Sequence, residues 1–342
     1  MELIGEDKTI LLAMPDWFLY RELKKELENF GFTVIGVPFS NSFKYARIWD
    51  RLYNLFRKVV LNDKSYKNQL KYQANGKHIA KIVGSLKNKV DFALMIRADF
   101  YPAEVVNLIK EKSKILVGYQ WDGVHRFPAI QKLIPLFDRF FVFDPDDLNL
   151  VPNILPCTNF YLNSESVQEC TLDLYYVGSF VKERIDLISK FSEFLQQNNF
   201  NYLIHIVTDK ERYIQRYKNS AFTISNEYVS YEQNIYNVKK SRILVDFLQN
   251  VHQGLSFRVF EALGSRKKLI TDNVEVDKYD FYHPNNIFIV KDESFEGLSE
   301  FVKKPYVDLD PVIVNKYSFK NWISYVLDIK PYVPIFLPVS RQ

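Results

Sequence analysis

Apolar positions near the start of the chain change period twice. "KTILLAMP" is a short continuous apolar run, "FLYRELKKELENFG" spaces its apolar residues at helical intervals and stops on Gly31, and "FTVIGVPF" is continuous again. A buried strand, an amphipathic helix and a second buried strand form a β-α-β unit, which predicts a parallel sheet with right-handed crossovers. "VDFALMIRAD", "KILVGYQWD" and "DRFFVFDPDD" read as further buried strands, each ending in polar residues. The stretch "NLVPNILPCTNFYLNSESVQE" has no period, and its Pro, Asn and Ser content predicts a connection between domains. A second series follows. "LDLYYVGSF" is a strand and Gly-Ser turn, "KERIDLISKFSEFLQQNN" a helix, "FNYLIHIVT" a strand, "YEQNIYNVKKS" a helix and "RILVDFLQ" a strand. "SFRVFEALGSRK" is a helix closed by Gly264, and "KLITDN" and "NNIFIV" are the last strands. The predicted fold class is α/β, with Rossmann-like doubly wound domains over 1–155 and 172–315, a linker at 156–171, and a terminal helix and tail at 316–342. Two such domains in succession predict a cleft between two sets of strand ends, a preferred place for a ligand.

Composition agrees with two domains. The 342 residues exceed the roughly 250 to 300 at which a single core stops growing. A hydrophobic share of 47% with 16% aromatics excludes a disordered chain. Cys157 and Cys170 have no His or Cys at metal-ligand spacing and read as thiols of a reducing compartment. The N-terminal "MELIGEDKTILLAMP" lacks the basic start and longer apolar core of a signal peptide, and no window reaches the roughly 18 apolar residues of a membrane span, so a cytoplasmic protein is expected.

Charge is unevenly placed. Residues 41–90 hold 12 Lys and Arg against Asp50 and Asp63, a net +10 that leaves −6 for the rest of a chain whose net charge is +4. Within it, "KYARIWDRLYNLFRKVVL" puts Tyr45, Ile48, Trp49, Leu52, Phe56 and Val59 on one stripe and Lys44, Arg47, Arg51 and Lys58 on another. Two readings stand: residues 44–60 lie on an anionic membrane surface, or they form an ordinary helix packed on its own sheet. Lys and aromatic residues interleave there, yet no nucleic-acid module is recognisable, so no nucleic-acid partner is expected.

The densest chemistry lies in "HQGLSFRVFEALGSRKKLITDN", residues 252–273. Gln253 and Gly254 follow a strand and precede a helix, so backbone there can approach a ligand, and the helix N-terminus offers N–H groups to a phosphate. Arg258 and Glu261 share a helical face; Arg258 suits a phosphate and Glu261 a pair of ribose hydroxyls, or the two form an intrahelical ion pair. Asp99, Asp122 and Asp144 end strands of the first domain, where chemistry gathers in parallel sheets. In "YQWDGVHRFP", Asp122 is the candidate for a general base or acceptor ligand, or else caps the following turn; His125 stands beside it as a second catalytic candidate or a packing residue, and Arg126 is a candidate for holding an acceptor carboxylate or phosphate. Asp99 and Asp16 are lesser candidates. Asp144 and Asp146 of "FDPDD" imitate a metal-binding acid pair, but Asp and Pro after an apolar strand equally make a turn, which is the reading adopted.

"GLSFRVFEALGSRKKLITDN" followed by "YDFYHPNNIFIV" resembles the donor-binding half of GT-B glycosyltransferases, in particular the capsular and lipopolysaccharide biosynthesis group related to CgeB-like transferases. "YYVGSFVKERIDLI" resembles the opening of their C-terminal domain, and "YQWDGVHRFP" and "FDRFFVFDPDDL" parts of the N-terminal one. The resemblance implies a GT-B fold whose domains face across a cleft, and transfer of a sugar from a nucleotide-activated donor to a surface-glycan or glycolipid acceptor. Glu261 then binds the donor ribose, Gly178 and Ser179 face the donor phosphates, and Arg184, Arg258 and Lys268 are phosphate ligands. The terminal "YSFKNWISYVL" becomes a helix crossing back to the first domain. No cofactor or metal is implied, because helix dipoles and Arg can neutralise phosphate. Retaining relatives carry Glu eight residues before the ribose Glu; position 253 is Gln, which favours inversion and leaves the stereochemistry open. A sugar-nucleotide epimerase of the same fold and a non-catalytic glycan-binding protein are the alternatives.

Overall fold

The computed structural model describes residues 3–150, 152–162, 169–248 and 253–338. The chain divides into two compact units. The first comprises Met1–Val142, Asp147–Pro156 and Val326–Ile329, the second Phe143–Asp146, Cys157–Tyr325 and Lys330–Gln342.

The first unit holds β1 (Thr9–Ala13), α1 (Phe18–Asn29), β2 (Thr33–Gly36), α2 (Ile48–Val60), α3 (Tyr66–Gly84), β3 (Val90–Ile96), α4 (Ala103–Glu111), β4 (Ser113–Gln120), β5 (Arg139–Val142) and β6 (Ile154–Pro156). The strands form one sheet in the order β2-β1-β3-β4-β5-β6, with every pair parallel. Central strands of a parallel sheet are covered on both faces and need apolar residues at successive positions, as β3 shows in "VDFALMI". α4 closes one face by burying Val105, Val106 and Ile109.

The second unit holds β7 (Leu172–Ser179), α5 (Ile185–Gln197), β8 (Tyr202–Val207), α6 (Glu211–Tyr217), β9 (Thr223–Ser225), α7 (Tyr231–Lys240), β10 (Ser241–Asp246), α8 (Phe257–Gly264), β11 (Lys268–Thr271), β12 (Ile287–Ile289), α9 (Leu298–Lys303) and α10 (Pro311–Lys316). α11 spans Phe319–Leu327. The sheet order is β12-β11-β10-β7-β8-β9, again all parallel. Alternate residues serve opposite layers: Ile243 and Val245 of β10 pack with Ile188 and Phe191 of α5, while Leu244 packs with Val259, Phe260 and Leu263 of α8.

The aperiodic stretch expected to be a linker is structured on both sides of residues 163–168, which lie outside the described residues. Ile154–Pro156 is strand β6, and Cys157, Thr158, Asn159 and Phe160 are all buried. Asn159 donates to the Leu255 carbonyl at 2.9 Å, and Trp322 Nε1 donates to the Thr158 carbonyl at 2.9 Å. Pro and Asn signal irregular backbone, not exposure, and here the Trp322 indole satisfies the buried Thr158 carbonyl. The expected strand end at Gln249 and the residue His252 also lie outside the described residues.

Candidate functional site

Sheet topology locates one crevice in each unit. In the second, chain order reverses between β7 and β10, so the connections after these two strands diverge at their carboxyl ends. Gly178 and Ser179 end β7, Asp246 ends β10, and α8 begins nearby. Ser256 caps α8: its Oγ accepts from the Arg258 N–H at 3.1 Å and donates to Asp246 Oδ1 at 2.8 Å. The helix start is thereby tied to the strand end. Gly178 is required because a Cβ would lie 2.6 Å from the Tyr176 hydroxyl oxygen. At Gly254 a Cβ would lie 2.4 Å from the Phe143 ring and 2.7 Å from the Phe143 carbonyl oxygen. The close approach that Gly254 permits is therefore to its own chain, where a ligand had been expected.

One turn along α8, Arg258 ion-pairs with Glu261, the side chains being 14% and 22% exposed. Asn234 of α7 joins them, accepting from Arg258 at 3.2 Å and donating to Glu261 Oε1 at 3.2 Å, while Tyr175 donates to Asn234 Oδ1 at 3.2 Å. The intrahelical pair exists, but it belongs to a part-buried network. Glu261 spends about two of roughly four acceptor positions on these partners, which leaves capacity for two hydroxyl donors.

Burial raises the carboxyl of Asp246 above the usual range, and Asp272 raises it further against the hydroxyl of Ser256 and the charges of Arg258 and Arg184. Asp272 is raised too, mainly by burial, while it accepts from the Leu248 N–H at 2.6 Å. Asp246, Asp272, Asn234 and Tyr176 were all missed from the sequence. The signal for Asp246 was present, since "RILVD" ends on an acid as the strands before Asp99, Asp122 and Asp144 do.

Three expected donor ligands are placed otherwise. Arg184 is buried, donating to the carbonyls of Phe247 at 2.8 Å and Ser179 at 3.3 Å, so it braces the ends of β7 and β10 from beneath. Lys268 begins β11, at the amino rim of the sheet, and its Nζ donates to the carbonyls of Phe301 and Lys304, both at 2.5 Å. It closes the end of α9, and the phosphate role is withdrawn: a cation with unmet helix carbonyls beside it is spent on them. Gln253 turns toward "FDPDD", its Nε2 donating to Asp146 at 2.9 Å and its N–H to Asp144 at 3.4 Å. Asp144 also accepts from the Asp146 N–H at 3.2 Å, the turn chemistry read for this segment.

In the first unit, order reverses between β1 and β3. Arg97 directly follows β3 with a φ of 60° and is only 2% exposed. It grips Asp99 through two bonds of 2.8 Å, pairs with Asp122, and stacks on Phe127 at 3.8 Å. Arg126 approaches the other Asp122 oxygen at 3.6 Å. Both oxygens of Asp122 face guanidinium groups. His125 is exposed at 62% and stands 4.0 Å from the buried carboxylate of Asp147, which accepts from the Val124 N–H at 2.7 Å. Trp17 stacks on Trp121 at 5.5 Å beside this group. Arg97 and Asp147 were not singled out from the sequence. Asp16 follows β1, its N–H donating to the Phe39 carbonyl at 2.9 Å.

α2 departs from an ordinary packed helix, because none of its residues is buried. Ile48, Trp49 and Val59 are 71%, 73% and 72% exposed. Its attachment to α3 is polar and aromatic: Tyr53 meets Tyr66 edge-on at 5.0 Å, and the Tyr66 hydroxyl donates to Asp50 at 3.2 Å. Arg47 caps its start and Arg51 lies in its first turn. Among the described residues no helix is long and apolar enough to cross a membrane.

No protein-family model matches the sequence, and no curated protein does. Solved structures match along most of the chain. A glycosyltransferase from Rickettsia africae is 16% identical, with 94% of this chain and 97% of that one covered and a TM-score of 0.53. The UDP-GlcNAc 2-epimerase from Methanocaldococcus jannaschii is 12% identical, with 87% and 94% covered and a TM-score of 0.51. These likenesses are of fold: the chain is α/β, of GT-B type, with two Rossmann-like domains.

Proposed function

We propose that the protein is a GT-B glycosyltransferase that moves a sugar from a nucleotide-activated donor to a lipopolysaccharide, capsule or related surface-glycan acceptor. The observation that carries this reading is the Ser256-capped start of α8 at the reversal point of the second sheet, with Arg258, Glu261 and Asn234 one turn inside. A helix start with its amides directed outward attracts a diphosphate, and a carboxylate with spare acceptor capacity suits a ribose. The second domain is the donor half and the first the acceptor half. The motif "FRVFEALGSRKKLITDN", which resembles the donor half of lipopolysaccharide and capsule transferases, supports the acceptor class.

In an inverting transfer, the acceptor hydroxyl loses its proton as it attacks the sugar carbon, and the bond to the nucleotide diphosphate breaks. His125 takes that proton, oriented by Asp147 behind it, because Asp122 already engages Arg97 and Arg126. Asp122 and Arg126 position the acceptor. Charge on the departing diphosphate falls to the start of α8 and to Arg258, with Arg184 bracing the turn at Ser179, so the reaction needs no metal. The exposed apolar stripe of α2, bordered by Arg47 and Arg51, holds the enzyme at the inner face of an anionic cytoplasmic membrane, where a lipid-linked acceptor resides.

A thermal-shift screen against CMP, UDP, GDP, ADP and TDP, each with and without EDTA, tests the reading. A ligand at 100 times its Kd adds about 2.7 kcal/mol. One nucleotide that stabilises the fold regardless of EDTA supports it, and turnover that requires an acceptor separates a transferase from an epimerase of the same fold. Intact folding with no nucleotide response favours a non-catalytic glycan-binding protein and refutes the proposal.

A further inference from the structure

A second concave feature lies on the opposite rim of the second sheet from the crevice. At the amino ends of β7, β10 and β11 there is a cavity of about 520 Å³, a size typical of small-ligand sites. Lys239, Arg242, Arg266, Lys267, Lys268 and Lys304 line it together with Cys170 and Tyr306, and among the described residues no acid does.

Helix ends account for part of this charge. The carboxyl ends of α7, α8 and α9 meet at this rim, and their carbonyls attract cations. Lys267 donates to the Lys239 carbonyl at 3.1 Å, and Lys268 to the carbonyls at the end of α9. Four cations are left over. Arg266 pairs with Asp308 in solvent, and the exposed Arg242 approaches the half-buried Asp173 only at 3.8 Å; exposed or loose pairs of this kind contribute little and are readily exchanged for a better anion. Among the described residues Lys239 and Lys304 have no acidic partner. Counting the two acids, the rim carries an excess of four positive charges around one hollow.

The backbone supplies an independent observation. Arg266 has a φ of 53°, the left-handed position after α8 where glycine is the usual residue. An arginine held there is strained and directs a cation to this rim. Burial, and then repulsion from Lys304, lower the pKa of Lys268, so the cations already compete for the space.

We propose that this cavity binds a multiply charged phosphate group, carried by a small soluble molecule or by a lipid headgroup. Its place on the amino rim makes it separate from the donor crevice and independent of the glycosyltransferase reading.

Cys170 provides the readout, since its Sγ accepts from Lys267 Nζ at 3.2 Å beside the cavity, whereas Cys157 is buried. The full chain is alkylated with iodoacetamide, and the rate at Cys170 is followed by mass spectrometry with pyrophosphate, or with vesicles containing phosphatidic acid. Saturating pyrophosphate or the vesicles should slow labelling at least fivefold; protection by pyrophosphate identifies a soluble ligand, and protection by vesicles alone a headgroup. Arg242→Glu combined with Lys304→Glu, both exposed positions, should weaken the protecting anion at least tenfold, and the corresponding Gln pair should act in the same direction if reversal disturbs folding. Arg258→Ala, at the other rim, should leave protection intact. No protection by either probe, or a charge-reversed protein protected as well as the wild type, overturns the proposal.

Discussion

Glu261→Ala separates the two duties that one carboxylate can perform. If Glu261 only braces α8, its loss affects stability and not ligand binding. The pair with Arg258 is part-buried, and after truncation Arg258 keeps Asn234 at 3.2 Å and the face of Tyr175 at 5.5 Å. The stability cost is therefore about 1 kcal/mol, well below the roughly 3–5 kcal/mol of stranding a fully buried charge. In a domain of this size that lowers the midpoint by about 2–4 °C. If Glu261 instead accepts from two ribose hydroxyls, each charge-assisted bond contributes about 1.5–3 kcal/mol. Part of that is offset by desolvating the carboxylate, so a net loss of about 2 kcal/mol, roughly thirtyfold in Kd, is expected. Calorimetric titration with the stabilising nucleotide and its 2′,3′-dideoxy analogue distinguishes the cases. The wild type should prefer the ribonucleotide, and Glu261→Ala should bind both with the same weak affinity. A variant that keeps its wild-type Kd, or still tells the two nucleotides apart, refutes the ribose assignment even if its midpoint falls.

Further predictions concern other parts of the molecule. Arg47→Glu with Arg51→Glu should cost about 2 kcal/mol or more of binding to anionic vesicles, at about 1 kcal/mol per charge near the surface, while activity on a soluble acceptor is retained; unchanged vesicle sedimentation would end the membrane reading. Gly254→Ala forces a Cβ against the Phe143 carbonyl and should destabilise by about 1–3 kcal/mol in denaturant melts, whereas a neutral effect would mean that the start of α8 gives way freely. His125→Ala should lower kcat with little change in nucleotide Kd, and an unaltered kcat would exclude it as the proton acceptor. The Asp246 carboxyl is raised in the folded state, so its contribution to stability is present below the unfolded value of about 4 and lost as pH rises through the folded one. Asp246→Asn, which keeps an acceptor for Ser256, should accordingly gain on the wild type as pH rises from about 4 toward neutrality; a gap constant across that range contradicts the burial argument.

The parallel strands were legible because burial on both faces leaves a mark that needs no partner information: "KTILLAMP" and "VDFALMI" are apolar at every position that the neighbouring helices cover. β6 and β9 were not: both are three residues long, as β12 is, but β12 lies in the apolar run "IFIV", whereas "ILP" ends on proline and the isoleucine of "TIS" is flanked by polar residues, so neither carries a strand pattern of its own. α3 escaped for a different reason. It buries Asn75 and Gly76 along with Ile79 and Val83, and Asn75 bonds the Ser40 carbonyl at 3.2 Å, so part of its inward face is polar.

Candidate site residues divide along the same line. What sequence spacing determines, such as Arg258 and Glu261 on one face of α8, is present in the fold. What depends on distant neighbours could not be read: Asn234 reaches Glu261 across 27 positions, and Asp147 reaches Val124 across 23. Lys268 marks the limit most sharply. Its neighbours in sequence are the cations Arg266 and Lys267, which invite a phosphate reading, but α8 runs away from the carboxyl-rim crevice and β11 starts back toward it from the far side, so the "GSRKK" segment between them lies at the opposite rim. Motif resemblance attached this cluster to the donor because it lies only a few residues beyond Glu261; strand direction separates them by the length of β10 and β11. The charge that the sequence displays at "GSRKK" therefore has to be explained at the amino rim. Two of its lysines satisfy helix carbonyls there, Arg266 and Arg242 meet Asp308 and Asp173, and among the described residues Lys239 and Lys304 are left with no acid.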